Sequence, residues 1–418
     1  MNVLQPVALE SQAVSFKALP PLSLYIHIPW CVKKCPYCDF NSHEVKPVLS
    51  LLNGPAMSLS KEVKGRIPDA LEKQYVTALI RDLEMALPQI WGRKVYTVFF
   101  GGGTPSLLSG EAIAEILRQV RMLLPLSGDA EITLEANPGT VEADKFAEFK
   151  DAGVNRLSMG IQSFNDAHLK ALGRIHSADE ARTAVEIAQR HFDNINLDMM
   201  YALPDQTLDE ALLDVKTALS FSPQHLSCYH LTLEPNTLFH RNPPQLPDDD
   251  ASAEMQQAIE TLLAEGGYRH YETAAFSKEK RRSRHNLNYW KFGDYLGIGA
   301  GAHSKLSFPD KIIRQMRYKQ PQAYMQQVMQ GVPIQTENEV VRAELPFEFM
   351  MNALRLNEGF DPALLAERTS LSLISIQREL LEAEKRGLLF RDHQCIAPTA
   401  MGQRFLNDLL EIFLADKY

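Results

Sequence analysis

The order of segments along the chain predicts an α/β protein built as a partial (β/α)6 barrel of the TIM type, closed off by a small C-terminal winged-helix-like α+β domain. Three observations predict it. Six apolar, β-branched stretches alternate with amphipathic helical patterns, and such alternation implies parallel strands joined by helical crossovers. From residue 95 onward these strands begin 25 to 39 residues apart, the length of one βα unit. After residue 345 the alternation stops, and short helices followed by a hairpin pattern take over. Six units leave a barrel open; a doubly wound sheet is the rival arrangement, and in both the ligands sit at the carboxyl ends of the strands.

Residues 1–21 read as a loose tail ending in Pro20-Pro21. SLYIHI (23–28) is the first strand, VYTVFF (95–100) the second, and EITLEA (131–136), RLSMGI (156–161), INLDMM (195–200) and HLSCYHLTL (225–233) follow. Between them lie the helical patterns LEKQYVTALIRDLEMAL, SGEAIAEILRQVRMLL, VEADKFAEFKDAG, SADEARTAVEIAQRHF and LDEALLDVKTALSF. Ser109 and Ser177 stand where helices start, and Gly153 where one ends. Residues 44–70 are rich in Pro, Gly, Ser and Lys without a steady period, which predicts an inserted surface loop. The barrel is expected over 22–240, an extension of it over 241–344, and the C-terminal domain over 345–418. There FEFMMNALRL, DPALLAERTS and SLISIQRELLEAEKRG read as helices, LLFRDHQCIAPT as a hairpin and AMGQRFLNDLLEIFLA as a closing helix. Winged helices often bind DNA, but Glu379, Glu382 and Glu384 make the third helix acidic. A lid or docking role is the expectation, with DNA-binding regulation the weaker alternative.

The chain has 418 residues, is 45% hydrophobic and 23% charged, and carries a formal net charge of −9. That balance disfavours nonspecific binding to nucleic acid or anionic lipid. MNVLQPVALESQAVSF lacks a basic region followed by a long apolar core, and no apolar run approaches the roughly 18–20 residues of a membrane span. A cytoplasmic location is expected. Cys228 and Cys395 stand alone and read as small buried hydrophobes.

The other three of the five cysteines fall in CVKKCPYCDF (31–40) with the spacing C-x3-C-x2-C. In a reducing compartment, bunched cysteines more often bind metal than form disulfides. A compact triplet suits an iron–sulfur cubane with one iron left open; zinc completed by His27 or His43 is the alternative. The triplet directly follows the first strand, so it lies on the first βα loop. GGGTP (101–105) follows the second strand. Its glycines let backbone approach a ligand closely, and it is no Walker loop, since no Gly-Lys-Ser/Thr follows. Glu135, Asn137, Gln162, Arg174 and Asp198 stand at or just beyond later strand ends, bringing polar groups to one rim. Taken alone, HNLNYW (285–290) reads as a packed loop, and KEKRRSR (278–284) as a solvated charged face.

C-x3-C-x2-C after a first strand resembles the radical S-adenosylmethionine (SAM) superfamily. There three cysteines hold a [4Fe-4S] cluster and SAM occupies the fourth iron. SLYIHIPWCVKKCPYCDFNSH, FFGGGTPSLL, LEANP, MGIQSF, LGRIH, NLDMMYALPDQT and HNLNYW narrow this to a resemblance to the anaerobic coproporphyrinogen oxidase family, nearest its HemW-type haem-chaperone branch. It covers about residue 22 to the C-terminus, except the 44–70 insertion. The resemblance implies Cys31, Cys35 and Cys38 as cluster ligands, and Tyr25, Tyr37, Gly102, Gly103, Thr104, Glu135, Gln162, Arg174 and Asp198 as SAM contacts. The oxidase branch adds a further Cys where this chain has Phe40, and the chaperone branch carries H-N-x-x-Y-W, matched by His285, Asn286, Tyr289 and Trp290. Those four are the expected haem-binding residues, with His285 as iron ligand and Arg281, Arg282 or Arg284 as candidates for pairing with propionates. The expected function is a haem chaperone carrying the cluster and SAM, without established catalysis; the alternative is an oxygen-independent coproporphyrinogen III dehydrogenase. Expected partners are haem and acceptor haemoproteins rather than nucleic acid. The reading admits a homodimer and a peripheral membrane contact through an acceptor.

Overall fold

The computed structural model describes residues 14–45, 66–139 and 143–414. Six strands form the centre: β1 (Leu22–Ile28), β2 (Val95–Gly102), β3 (Leu126–Ala136), β4 (Arg156–Gln162), β5 (Ile195–Tyr201) and β6 (His225–His230). Each pairs in parallel with the next. Leu24, Ile26 and Ile28 of β1 alternate onto its outer face and are fully buried. Tyr25 and His27 therefore turn inward, because side chains along a strand change face at every residue.

The crossover helices cover the outside: α1 (Asp69–Ala86), α2 (Gly110–Leu123), α3 (Phe146–Ala152), α4 (Ala178–His191) and α5 (Leu208–Ser220). On α2, Ile113, Ile116, Leu117 and Val120 are all buried, the i, i+3, i+4, i+7 stripe that a helix lays on a sheet. Each such side chain contributes about 1.5–3 kcal/mol through removal from water. The starts are chemically marked. Ser109 Oγ accepts from Ala112 N, and Ser177 with Glu180 forms a reciprocal capping box, as does Thr207 with Glu210. Gly153 ends α3 at φ +109°, a conformation a Cβ would resist.

The sheet grows at both edges. The order is β12-β11-β10-β9-β1-β2-β3-β4-β5-β6-β8-β7, with β7 (Arg269–Glu272), β8 (Ala275–Ser277), β9 (Asp294–Ile298), β10 (His303–Ser307), β11 (Ile312–Arg317) and β12 (Ile334–Glu339). β9 runs parallel to β1, whereas β8 pairs antiparallel with β6, and β10 to β12 continue antiparallel from β9. The chain between β6 and β12 thus flanks the six-stranded centre on both sides. α6 (Asp249–Glu265) packs on the β6 side against α5, and α7 (Arg284–Trp290) lies against β1, β2 and β9. The expected loop at HNLNYW is this helix. A buried ion pair fastens the extension to the first crossover: Arg317 of β11 meets Asp82 of α1 at 3.1 Å, and the Tyr324 hydroxyl donates to the same carboxylate at 2.8 Å.

The C-terminal part comprises α8 (Leu345–Ala353), α9 (Ala363–Thr369), α10 (Gln377–Lys385), the hairpin β13 (Leu389–Arg391) and β14 (Ile396–Pro398), α11 (Ala400–Arg404) and α12 (Leu406–Glu411). Leu345, Phe349, Leu380, Ile396 and Leu409 form its own buried cluster, which also takes in Phe292, Ile312 and Val14. Of the tail expected over 1–21, residues 1–13 lie outside the described residues. From Val14 the chain is docked rather than loose: Val14 is buried, Ser15 N donates to Ser370 Oγ at 3.2 Å, and Phe16 N donates to Pro309 O at 3.1 Å. Of the expected 44–70 loop, residues 46–65 lie outside the described residues. Glu44 belongs to a short strand pair, and α1 already starts at Asp69.

Candidate functional site

The cysteine loop leaves the carboxyl end of β1 and is pinned from several sides. Trp30–Cys31 pairs with His43–Glu44, and Val45 N donates to Cys31 O at 3.0 Å. Lys34 Nζ donates to the Phe40 carbonyl at 3.2 Å. The Asn41 amide donates to the carbonyls of Ala300 and Lys319, both at 2.9 Å, so the far edge of the sheet also holds the loop. From the other side Phe239 N donates to Pro36 O at 3.0 Å.

Thus held, Cys31, Cys35 and Cys38 border one cavity of about 430 Å³, together with Gly102, Gly103, Thr104, Glu135, Gln162, Arg174 and Asp198. Thr104 Oγ1 donates to Cys31 Sγ at 3.4 Å, and Arg174 Nη1 donates to Cys35 Sγ at 3.7 Å. Arg174 Nη2 reaches Asn137 Oδ1 and Gly160 O, both at 2.7 Å, and Asn137 reaches Thr104 Oγ1 at 3.1 Å. One hydrogen-bonded chain therefore runs from one thiol to another along the strand ends. Burial pushes the Cys31 and Cys38 thiols up. Arg174 sets a cation beside the triplet, and its buried Nε has no partner. Three soft thiols on one wall beside a cation suit an iron–sulfur cluster. Neither histidine of the zinc alternative borders this cavity; His27 already bonds Tyr25 OH at 3.0 Å and Asn41 O at 2.8 Å.

The glycines act through close approach. A Cβ on Gly103 would lie 2.5 Å from the Trp30 carbonyl oxygen, and one on Gly102, at φ +110°, 2.4 Å from the His27 ring. Gly103 N and Thr104 N donate to the carbonyls of Ile28 and Trp30 at 2.8 and 2.7 Å, locking the end of β2 under the cysteine loop. Glu135 accepts from Gly102 N at 3.2 Å. Burial, helped by the charge of Asp198, pushes its carboxyl up to about 8. Asp198 is likewise raised by burial, while Asn196 and Ser158 donate to it and oppose that shift.

Tyr37 also borders this cavity. Tyr25 does not: it points into a second cavity on the other side of the cysteine loop. The reason is register, since β1 carries Tyr25 two residues ahead of His27, both on the inward face, below the rim that Cys31 begins. Sequence reasoning noted Asn137 without giving it a contact, and missed Ser158, Tyr229 and His230. The strand-end rule pointed to the last two, at the carboxyl end of β6.

His285 departs from its expected role. It is 1% exposed, with Nδ1 2.7 Å from Thr97 Oγ1 and Nε2 2.9 Å from the Tyr289 hydroxyl. Both ring nitrogens are engaged, so the imidazole is not open to an iron in this arrangement. Burial, then the charge of Arg156, lowers its pKa to about 3. Helical spacing puts Tyr289 one turn beyond His285, and Tyr289 borders the second cavity. Trp290 stacks under the Arg355 guanidinium at 4.3 Å, and Asn286 N caps onto Ser283 Oγ. Two of the three candidate arginines are already paired: Arg282 with Glu358 at 2.5 Å, and Arg284, which donates to Asp129 O at 2.6 Å. Cys228 is buried as expected, whereas Cys395 is only half-buried and contacts Glu358 O at 3.2 Å.

A parallel-stranded partial barrel with three cysteines on its first βα loop and a glycine-lined second loop defines a radical SAM protein. The radical SAM superfamily model matches residues 25–217, and the HemN C-terminal domain model matches residues 341–405. The chain is 48% identical to the heme chaperone HemW of Escherichia coli (strain K12), over 95% of this chain and 99% of that one. It is 32% identical to the heme chaperone HemW of Bacillus subtilis (strain 168), over 94% and 99%. Among solved structures, coproporphyrinogen III oxidase (HemN) from Escherichia coli superposes with a TM-score of 0.76 at 23% identity, over 98% of this chain and 95% of that one; this shows the shared fold. The chain belongs to the HemW family of the radical SAM superfamily. The radical SAM domain implies a [4Fe-4S] cluster and SAM as cofactors.

Proposed function

We propose that this protein is a haem chaperone, which binds haem and passes it to acceptor haemoproteins without chemistry on the porphyrin. The observation that carries the reading is the near full-length kinship with heme chaperones. Phe40 supports it, standing where the oxidase branch has a further cysteine. No helix among the described residues is long and apolar enough to cross a membrane, in keeping with action in the cytoplasm.

In this proposal Cys31, Cys35 and Cys38 hold the [4Fe-4S] cluster, which supplies an open iron and an electron when bound. SAM occupies the rest of the same cavity. Arg174 offers its guanidinium to the SAM carboxylate, a charge-assisted contact. The backbone from Gly102 to Thr104 borders the methionyl amino group, and Glu135 and Asp198 serve as acceptors for ribose hydroxyls. Tyr37 and Gln162 flank them.

The test is anaerobic reconstitution followed by haem titration and transfer. Wild type and Cys228→Ala should bind iron and sulfide alike, and the Cys31→Ala/Cys35→Ala/Cys38→Ala variant should stay colourless. Wild type should bind haem and hand it to an apo-haemoprotein. Conversion of coproporphyrinogen III to protoporphyrinogen in the presence of reductant and SAM would replace the chaperone reading by the oxidase one.

A further inference from the structure

Beneath the strand-end rim of the cysteine-lined cavity, the barrel interior is polar. Leu197, Met199, Leu226 and Cys228 of β5 and β6 belong to the main apolar core, so the alternate residues Asn196, Asp198, His225 and Ser227 turn inward. Such interior positions commonly hold branched apolar side chains. Asp198 borders the cavity. Below it, Asn196, His225 and Tyr271 are buried and form an unbroken hydrogen-bonded chain. Asn196 Nδ2 donates to Asp198 Oδ1 at 2.8 Å, and Asn196 Oδ1 accepts from His225 Nδ1 at 2.6 Å. His225 Nε2 lies 2.8 Å from the Tyr271 hydroxyl, which also accepts from Ser283 N at 3.3 Å. Ser283 caps α7. The chain therefore runs from the cavity through β5, β6 and β7 to the start of that helix.

The chain has one sense. Burial, then the charge of Arg156, pushes the His225 pKa well below its usual value, so the ring is neutral with a single N–H. Which nitrogen carries that proton is set by what faces the other. With the proton on Nδ1, His225 donates to the Asn196 carbonyl, and the Tyr271 hydroxyl donates to the bare Nε2. With the proton on Nε2, the Asn196 amide must turn over. Its oxygen would then face the Asp198 carboxylate, an acceptor against an acceptor in a buried site. Two serines favour the first arrangement. Ser227 Oγ donates to Asn196 Oδ1 at 3.1 Å, and Ser158 Oγ accepts from Asn196 Nδ2 at 2.8 Å while donating to Asp198 Oδ2 at 3.0 Å.

We propose that Tyr271, His225 and Asn196 are positioning residues for SAM, a relay that holds the Asp198 carboxylate as an acceptor facing the cavity. This rests on the reading of Asp198 as an acceptor for a ribose hydroxyl. Asn196 occupies one of its oxygens from below and Ser158 the other, and each oxygen keeps a lone pair for a ligand. None of the three relay residues borders the cavity, so they act through Asp198. The far end is fixed as well: the Arg282 guanidinium lies over the Tyr271 ring at 5.2 Å.

The experiment is equilibrium dialysis of labelled SAM against full-length protein, reconstituted anaerobically and left unreduced. His225→Leu removes both ring contacts and should weaken SAM binding about tenfold, the scale of one hydrogen bond to a charged group. His225→Asn keeps a donor toward Asn196 and should recover most of that affinity. Tyr271→Phe keeps the ring under Arg282 and loses only the hydroxyl, so it carries the test even where His225→Leu fails to fold; it should weaken SAM severalfold. Iron and sulfide uptake should match wild type in all three. Asp198→Asn should itself weaken SAM. In that background His225→Leu and Tyr271→Phe should add no further loss, because the relay acts through the carboxylate. Wild-type SAM affinity in His225→Leu and Tyr271→Phe would overturn the relay, and so would equal losses with and without the Asp198 carboxylate. Both outcomes leave Asp198 standing as a SAM contact. If Asp198→Asn binds SAM as wild type does, that contact is refuted and the relay with it.

Discussion

The His285 imidazole and the Tyr289 hydroxyl lie 2.9 Å apart, one turn along the same short helix, and Thr97 closes the other side of the ring at 2.7 Å. The motif histidine is thereby a brace between the barrel and the extension. Removing it takes from the Tyr289 hydroxyl this partner and leaves Thr97 Oγ1 with Ser23 Oγ alone, at 2.8 Å; a buried polar group left unsatisfied costs about 1–3 kcal/mol. His285→Ala should therefore lower the unfolding free energy by a few kcal/mol in denaturant titrations, and a variant as stable as wild type would refute the brace.

The same contact makes a prediction about pH. The folded pKa of His285 is lowered to about 3, below the ordinary value of about 6.5. Above pH 6.5 the ring is neutral in both states and its contribution to stability is whole. As pH falls from 6.5 toward 3 the unfolded chain binds the proton and the folded one does not, so stability is lost at about 1.4 kcal/mol per pH unit. His285→Gln should remove one proton's worth of that slope between pH 4 and 6. Equal slopes for the two proteins would contradict it. His27 and His176, lowered mainly by burial to about 4 and about 3, add parallel slopes that both proteins share.

Asp82 and Arg317 form a fully buried pair joining α1 to β11, with Tyr324 OH and Gly299 N also donating to the carboxylate. Removing one partner of such a pair leaves an uncompensated charge, at a cost of about 3–5 kcal/mol. Asp82→Leu should be severely destabilised. Adding Arg317→Met should recover part of the loss, because two apolar side chains need no partner. A double variant no better than the single one would sink the coupling.

Gly103 sits where any side chain meets backbone, 2.5 Å from the Trp30 carbonyl oxygen. Gly103→Ala must push the cysteine loop off the end of β2. The expected outcome is a folded protein, by circular dichroism, that takes up less than half the iron of wild type on reconstitution. Full iron uptake would show that the loop is not held there.

The sequence by itself determined most local structure. Period-2 and period-3.6 patterns set the six strands and their helices, since apolar faces must be covered. Ser109, Ser177 and Gly153 marked helix ends because side chains or a left-handed residue there satisfy orphan backbone groups. The spacing of Cys31, Cys35 and Cys38 marked a candidate metal site, for local geometry keeps such thiols together, and the resemblance to the radical SAM superfamily narrowed it to an iron–sulfur cluster. Only the tertiary structure decided which face each rim residue meets. It put β9, more than 260 residues after β1, beside that strand, a pairing no local pattern encodes. It turned Tyr25 away from the cysteine-lined cavity and sealed His285 between two hydroxyls. Whether an imidazole is a brace or a ligand depends on what lies opposite its nitrogens, and those neighbours are brought there by packing between segments distant in the chain.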